Sequence, residues 1–378
     1  MGMTPFRQHV AIAVDGGGIK GLMVARALRR LEAELGGGPL IDHPAIEVLA
    51  GTSTGAIITA GIALGLRMDE IADLYERIGQ VLFKPLLPAY LPRSLHLAYR
   101  LFLTFTRPSL YTADGLIATF KQFAGDQTLG DLNDALKRRP GPPKALVLTT
   151  VDIKNRRTKF LKSYAPQDAD WKLYEAVLAS AAAPTYLPVF RRTEDAPNIR
   201  YFADGGIGNY NNPGYIAARE IALWKRYAPK DISVLSFGVG WLQPVNFEDT
   251  FGSPSNWRAV DWAKNGVMLL IGDAARGQSL NIIDDYVSQG MDFRRFQIAL
   301  QKDIPIDSAA PAVLAQLKAL GDVLGERLIN DQHALSGKEW DPEGLQDLLD
   351  RYRQSLSETT EVTPAAIRAA TQGGSQDV

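Results

Sequence analysis

Ile46-Glu47-Val48-Leu49-Ala50-Gly51-Thr52-Ser53-Thr54-Gly55 is an apolar run that breaks abruptly into a glycine-flanked hydroxyl. The reading is a buried strand that turns sharply into a helix with Ser53 at the bend, the arrangement of a nucleophile elbow. Gly51 and Gly55 let strand and helix approach with no Cβ between them. A second glycine-rich turn lies upstream, Asp15-Gly16-Gly17-Gly18-Ile19-Lys20-Gly21, directly after the short apolar run 10–14.

Working outward, strand-type and helix-type segments alternate. Residues 10–14, 47–50, 144–151, 200–203 and 232–237 read as strands. Residues 19–35, 54–65, 69–78, 173–183, 215–227, 257–271 and 314–328 carry helical spacing. This alternation predicts an α/β fold with a largely parallel central sheet flanked by helices. No internal repeat or linker stands out, so residues 9–354 are expected to form one domain, with a helical insertion or lid at about 77–114. From about Ser355 the chain turns small and polar, and 355–378 is expected to be a disordered tail.

With 378 residues, 46% of them hydrophobic, the chain can bury a large core, and its formal net charge of −1 gives no general reason for a nucleic-acid partner. Absence of cysteine excludes disulfides, thiolate ligands and a cysteine nucleophile. The amino-terminal apolar run is too short for a signal peptide, and no stretch has the length of a membrane span. A cytoplasmic or peripheral-membrane location is therefore expected. Oligomeric state is not legible in the sequence.

Gly16-Gly17-Gly18-Ile19-Lys20-Gly21 matches a dinucleotide-binding pattern literally. The second strand argues against that use, because it ends in Ala50-Gly51-Thr52-Ser53 and not in the acidic residue that would hold ribose hydroxyls. A P-loop fails too, since Gly21 follows Lys20 where Ser or Thr is required. The reading that remains is an oxyanion hole: backbone N–H groups of Gly16, Gly17 and Gly18 at the start of a helix, aimed at developing negative charge.

Ser53 needs a base. The four histidines are His9, His43, His96 and His333, and none follows a strand as a hydrolase histidine would. Asp204 in Tyr201-Phe202-Ala203-Asp204-Gly205-Gly206 ends a short apolar run with two glycines clearing space beside it. Loops at the carboxyl ends of parallel strands converge, which predicts that Ser53, the glycine turn and Asp204 meet. Asp15 is expected to hold the turn by accepting backbone N–H bonds, with service as an alternative base as the other reading. Asn211 and Asn212 are candidates for tethering the loop that carries Asp204.

These motifs, together with Ala179-Ser180-Ala181-Ala182-Ala183-Pro184 and Asn212-Pro213, resemble the patatin-like phospholipase family over roughly residues 9–240. The resemblance implies a three-layer architecture and hydrolysis of phospholipid or lysophospholipid esters by a Ser-Asp dyad without histidine. Ser53 matches the nucleophile, Asp204 its base, and Gly16, Gly17 and Gly18 the oxyanion hole; Asp15, Thr54, Gly205 and Gly206 are expected to support the site. Ala56 stands where many members carry another glycine. No metal or cofactor is expected for this chemistry, and no carboxylate cluster suited to calcium is evident. Alternatives are an acyltransferase built on the same dyad, or a lipid-binding protein without activity.

A lipid substrate implies contact with a membrane or micelle surface. Between Glu76 and Asp114 there is no acidic residue, while Arg77, Lys84, Arg93, Arg100 and Arg107 alternate with leucines and aromatics. That composition suits a lid or an interfacial segment, or else an insertion packed on the core with its cations snorkelling to water. Trp257, Trp262, Met268, Leu269 and Leu270 are read first as helix-on-sheet packing, with an acyl-pocket wall as the other reading. Trp241 and Phe247 are placed within possible reach of the pocket.

Overall fold

Strand β1 (His9–Val14) serves two cores at once. Val10, Ile12 and Val14 enter one apolar cluster, Ala11 and Ala13 the other. A strand buried on both faces needs helices above and below it. The computed structural model describes residues 4–83, 92–193 and 199–358.

The remaining strands are β2 (Ile46–Thr52), β3 (Ala145–Asp152), β4 (Arg157–Lys162), β5 (Phe190–Arg192), β6 (Arg200–Asp204), β7 (Ile232–Phe237), β8 (Trp241–Leu242), β9 (Asp292–Phe296) and β10 (Ala299–Leu300). The main sheet is eight-stranded in the order β5-β6-β3-β2-β1-β7-β9, with β4 also paired to β3; β8 and β10 form a separate small ladder. Pairings among β3, β2, β1, β7 and β9 are all parallel. Strands β4 and β6 run antiparallel to β3, and β5 antiparallel to β6. The sheet is thus largely parallel, as the alternating pattern predicts.

The helices are α1 (Gly21–Glu34), α2 (Thr54–Leu64), α3 (Met68–Leu82), α4 (Arg93–Thr106), α5 (Asp114–Ala124), α6 (Leu129–Lys137), α7 (Leu173–Ala181), α8 (Gly214–Arg219), α9 (Phe247–Phe251), α10 (Ala259–Asp285), α11 (Pro311–Ile329) and α12 (Leu345–Glu358). Leu22 of α1, Ile58 of α2, Leu74 of α3, Val177 of α7 and Leu324 of α11 join the Val10–Ile12 face. Ala217 of α8, Ile282 of α10 and Leu349 of α12 join the alanine face. Alanines on that face allow the helices to approach closely, and the three layers follow.

Several elements differ from the sequence reading. Strands β4, β5 and β9 carry two or more arginines or lysines each, which obscures their apolar pattern. The expected helix 215–227 divides into α8 and a wider π-type turn over Glu220–Trp224. Helix α10 is 27 residues long and extends well past the expected end at 271. Within 77–114, α4 leaves Leu95 and Phe102 exposed while Leu103 is buried. Lys84, Leu86, Leu87, Tyr90 and Leu91 of that stretch, and the side chain of His96, lie outside the described residues. The expected tail begins inside α12, which reaches Glu358; residues 359–378 lie outside the described residues.

Candidate active site

The bend after β2 is forced by close backbone contacts. A Cβ on Gly51 would lie 2.3 Å from the Gly55 carbonyl oxygen, and one on Gly55 only 2.0 Å from that of Val14. Ser53 itself adopts φ 54° and ψ −117°, a conformation that costs a residue with a Cβ about 1–3 kcal/mol. Neighbouring bonds hold it there. The Ser53 N–H donates to Ser180 Oγ on α7 at 3.0 Å, and the Ala56 N–H donates to the Ser53 carbonyl at 2.9 Å. Tyr75 on α3 clamps the start of α2: its hydroxyl donates to the Thr54 carbonyl at 2.7 Å and also meets the Thr54 hydroxyl.

Asp204 reaches Ser53 by a route different from the one expected. Strand β2 ends its pairing with β3 at Thr52 opposite Thr149. Strand β6 then pairs antiparallel with the next part of β3, and its last residue, Asp204, lies opposite Thr150. The two chain segments therefore meet head-on where β2 leaves the sheet. The convergence comes from an antiparallel strand and not from the carboxyl ends of parallel ones.

Only 5% of Asp204 is exposed. The Gly206 N–H donates to its Oδ1 at 2.7 Å. Burial pushes its pKa up to about 6; the Ser53 hydroxyl and the Gly206 N–H act in the opposite sense by favouring the carboxylate. A Cβ on Gly205 would sit 2.2 Å from Thr149 Oγ1, and one on Gly206 2.7 Å from Asn211 Oδ1. A side chain at Gly205 would push the turn off β3, since the Thr149 carbonyl oxygen lies 2.6 Å from that Cβ, and one at Gly206 would press on the Asp204 carboxylate at 3.0 Å.

The glycine turn abuts the serine, since a Cβ on Gly16 would lie 3.1 Å from that of Ser53. One expected donor is otherwise engaged: the Gly16 N–H donates to the Asn211 carbonyl at 3.0 Å, which ties the turn to the loop following Asp204. Among the described residues no partner accepts from the N–H of Gly17 or Gly18. Gly18 has φ +60°, and a Cβ there would be 2.3 Å from the Ile306 carbonyl oxygen. Asn212 ties the same loop to α10, with Nδ2 donating to Ser279 Oγ at 2.9 Å.

The expected partners of Asp15 are also corrected. Its carboxylate accepts no described backbone N–H; both oxygens accept from Arg295, at 2.8 and 2.7 Å. Arg295 is fully buried and donates further to Ser236 Oγ at 2.9 Å and Glu343 at 2.8 Å. Burial raises the Asp15 pKa to about 6, against the pull of Arg295 and with a smaller push from Glu343. Arg295, Glu343 and Ser180 were not singled out as site residues by sequence reasoning. The first two are far from the glycine turn in the chain, and Ser180 carried only a motif match.

The histidines stand elsewhere. His9, at the amino end of β1, stacks on Tyr227 at 3.4 Å and meets Glu47 at 2.6 Å. His43 Nδ1 accepts the Ala45 N–H at 3.3 Å, and His333 lies 3.8 Å from Asp331. Among the described residues no histidine lines the cavity that contains Ser53 and Asp204. No group of three or more His, Cys, Asp or Glu among the described residues is placed to hold a metal ion.

That cavity measures ≈ 1210 Å³. Ile57, Phe83, Leu116 and Leu187 contribute apolar surface, as do Trp241 and Phe247. The helix-on-sheet packing expected for Trp262, Met268, Leu269 and Leu270 does not occur. Trp262, Met268, Leu269 and Leu270 are exposed, and Met268 and Leu269 also line the cavity. The physical reason is the length of α10: its carboxyl-terminal half, with Ile282 and Ile283, covers the sheet, and among the described side chains of its amino-terminal half none belongs to either core cluster.

Comparison with known proteins matches residues 12–218 to the model of a patatin-like phospholipase domain. A cGAMP-activated phospholipase of Pseudomonas aeruginosa (strain BWHPSA011 / Pa011) is 30% identical, over 62% of this chain and 64% of that protein. The match therefore spans slightly less than two thirds of that relative's length. Patatin-17 of Solanum cardiophyllum is 24% identical over 92% of this chain and 89% of its own. The crystal structure of VipD from Legionella pneumophila aligns with a TM-score of 0.44 at 14% identity, covering 91% of this chain and 71% of that one.

Proposed function

The chain belongs to the patatin-like phospholipase family, and from that premise we propose that it is a serine lipid acyl hydrolase of phospholipid or lysophospholipid esters, acting through Ser53 and Asp204. The observation that carries this reading is the Ser53 hydroxyl beside a buried carboxylate whose pKa is raised to about 6. A base with a pKa near working pH combines a populated ionised form with useful proton affinity.

In the proposed first half-reaction, ionised Asp204 takes the Ser53 proton as Oγ bonds to the ester carbonyl carbon. The carbonyl π electrons move to oxygen, which lies against the N–H groups of Gly17 and Gly18. Collapse of this oxyanion expels the alcohol oxygen, which takes the proton from Asp204 and leaves an acyl-serine. In the second half, Asp204 accepts a proton from water as it attacks the acyl carbon, and Ser53 leaves with that proton. Asp15 acts by holding the glycine turn through Arg295, and Thr54, Gly205 and Gly206 by fixing the two reacting side chains.

The apolar cavity suits an acyl chain. Among the described residues no helix is long and apolar enough to cross a membrane, and we place the protein's action at a lipid–water surface, within a domain spanning residues 9–354. The experiment is fluorophosphonate labelling together with hydrolysis of a short-chain ester and a phospholipid by wild type, Ser53→Ala and Asp204→Asn. Loss of labelling in Ser53→Ala and of turnover in both variants is expected; full turnover in both would sink the dyad. Formation of a new ester with an added alcohol or lysolipid, at the expense of free fatty acid, would point instead to an acyltransferase.

A further inference from the structure

The amino-terminal half of α10 and the segment before it form an apolar surface that continues the cavity outward. Phe247 and Phe251 line the cavity, with ring centroids 5.0 Å apart. Trp257 lies 5.9 Å from Phe247, and Trp262 packs edge-on against Trp257 at 5.0 Å. The aromatic chain therefore runs from the cavity wall to a tryptophan that is 53% exposed. One further turn or two along α10, Met268 and Leu269 are both exposed and cavity-lining, and Leu270 beside them is 71% exposed. Val245, also part of the lining, is 82% exposed.

Large apolar side chains gathered at a cavity mouth mark a docking surface more strongly than scattered exposed leucines do. We propose that this face is where the protein seats on a lipid surface, so that an acyl chain passes from the aggregate into the cavity without crossing water. The proposal rests on the hydrolase reading for its destination, and on the shared side chains for its path.

Charge narrows the kind of surface. Between Val245 and Asp273 the acidic residues are Glu248, Asp249, Asp261 and Asp273, against Arg258 and Lys264. With no excess of cations, attraction to anionic headgroups does not drive docking; apolar insertion does, with Trp262 suited to the headgroup boundary. The occupant is an electrically neutral, zwitterionic lipid surface. This separates the face from the basic 77–107 stretch, whose composition favours anionic lipid.

The test compares the full chain with Leu270→Asp and Trp262→Asp, neither of which lines the cavity. Flotation with phosphatidylcholine vesicles at low and at high salt is measured beside hydrolysis of the same vesicles and of a water-soluble short-chain ester. Expected are about tenfold or greater losses of vesicle binding and vesicle hydrolysis, short-chain turnover within about twofold of wild type, and little effect of salt. Short-chain turnover reports folding; if either aspartate variant loses it, Leu270→Ser and Trp262→Ser take their place. Unchanged vesicle binding in the variants overturns the proposal, as does binding that requires anionic lipid and vanishes with salt. A variant that instead converts an oligomer to a monomer in sedimentation assigns the face to self-association and equally overturns it. Should wild type bind vesicles in a Leu270-dependent way yet cleave no ester, the docking surface stands and the hydrolase reading fails.

Discussion

Asp204→Asn is predicted to cut turnover by orders of magnitude and at the same time make the protein more stable at neutral and alkaline pH. Burial raises the Asp204 pKa from 3.8 to about 6. Because the folded state holds this proton more tightly than the unfolded chain, the carboxyl group's favourable contribution is fully present below pH about 4. It is lost as pH rises through about 6. A shift of roughly two units at about 1.4 kcal/mol each amounts to about 3 kcal/mol of destabilisation on the alkaline side. Asparagine is nearly isosteric, carries no charge to desolvate, and keeps an oxygen for the Gly206 N–H. Urea unfolding followed by tryptophan fluorescence at pH 4, 6 and 8 measures the difference. The variant is expected to gain on wild type progressively across this range and to approach a gain of about 3 kcal/mol at pH 8. Its turnover should fall by about 10²–10⁴ through loss of the proposed general base. A variant less stable than wild type at pH 8, or a difference that does not change with pH, would refute the argument that the base is held ionised against its environment.

The kcat/KM for a soluble ester is predicted to rise with pH through a midpoint at about 6, since the proposed dyad requires Asp204 to be ionised in the free enzyme; a flat profile between pH 5 and 7 would contradict this. Ser53→Gly should be more stable than Ser53→Ala by about 1 kcal/mol, because φ 54° strains alanine and not glycine; chemical denaturation of the two variants checks it. Arg295→Met should cost about 3–5 kcal/mol, since it leaves Asp15 and Glu343 buried without their common cation. Arg295→Lys should recover part of that stability, but not the two-oxygen grip on Asp15, and thermal unfolding ranks the three proteins. Gly18→Ala combines φ +60° with a Cβ 2.3 Å from the Ile306 carbonyl oxygen, and should lower kcat by about 10²–10³ through displacement of an oxyanion donor.

The sequence by itself determined what is local. An apolar run ending in Gly51-Thr52-Ser53-Thr54-Gly55 specifies a tight bend with a raised hydroxyl, because the contacts that forbid a Cβ lie among a few neighbouring backbones. Short, wholly apolar runs alternating with helical segments specify the layers, because a strand buried on both faces needs helices on each side, and family motifs extended the reading as far as Asp204. Tertiary structure alone decided how the pieces meet. Asp204 is aligned with Ser53 by an antiparallel strand entering where β2 leaves β3, a matter of register across more than one strand. Gly16 loses its free N–H to Asn211, and Asp15 takes Arg295 from β9 in place of backbone N–H groups. Helix α10 is apolar by composition over its early part, yet composition does not state whether that part lies on the sheet or beyond its edge. Hydrogen bonding and burial between segments hundreds of residues apart leave no periodic trace along the chain, so those features had to await the folded molecule.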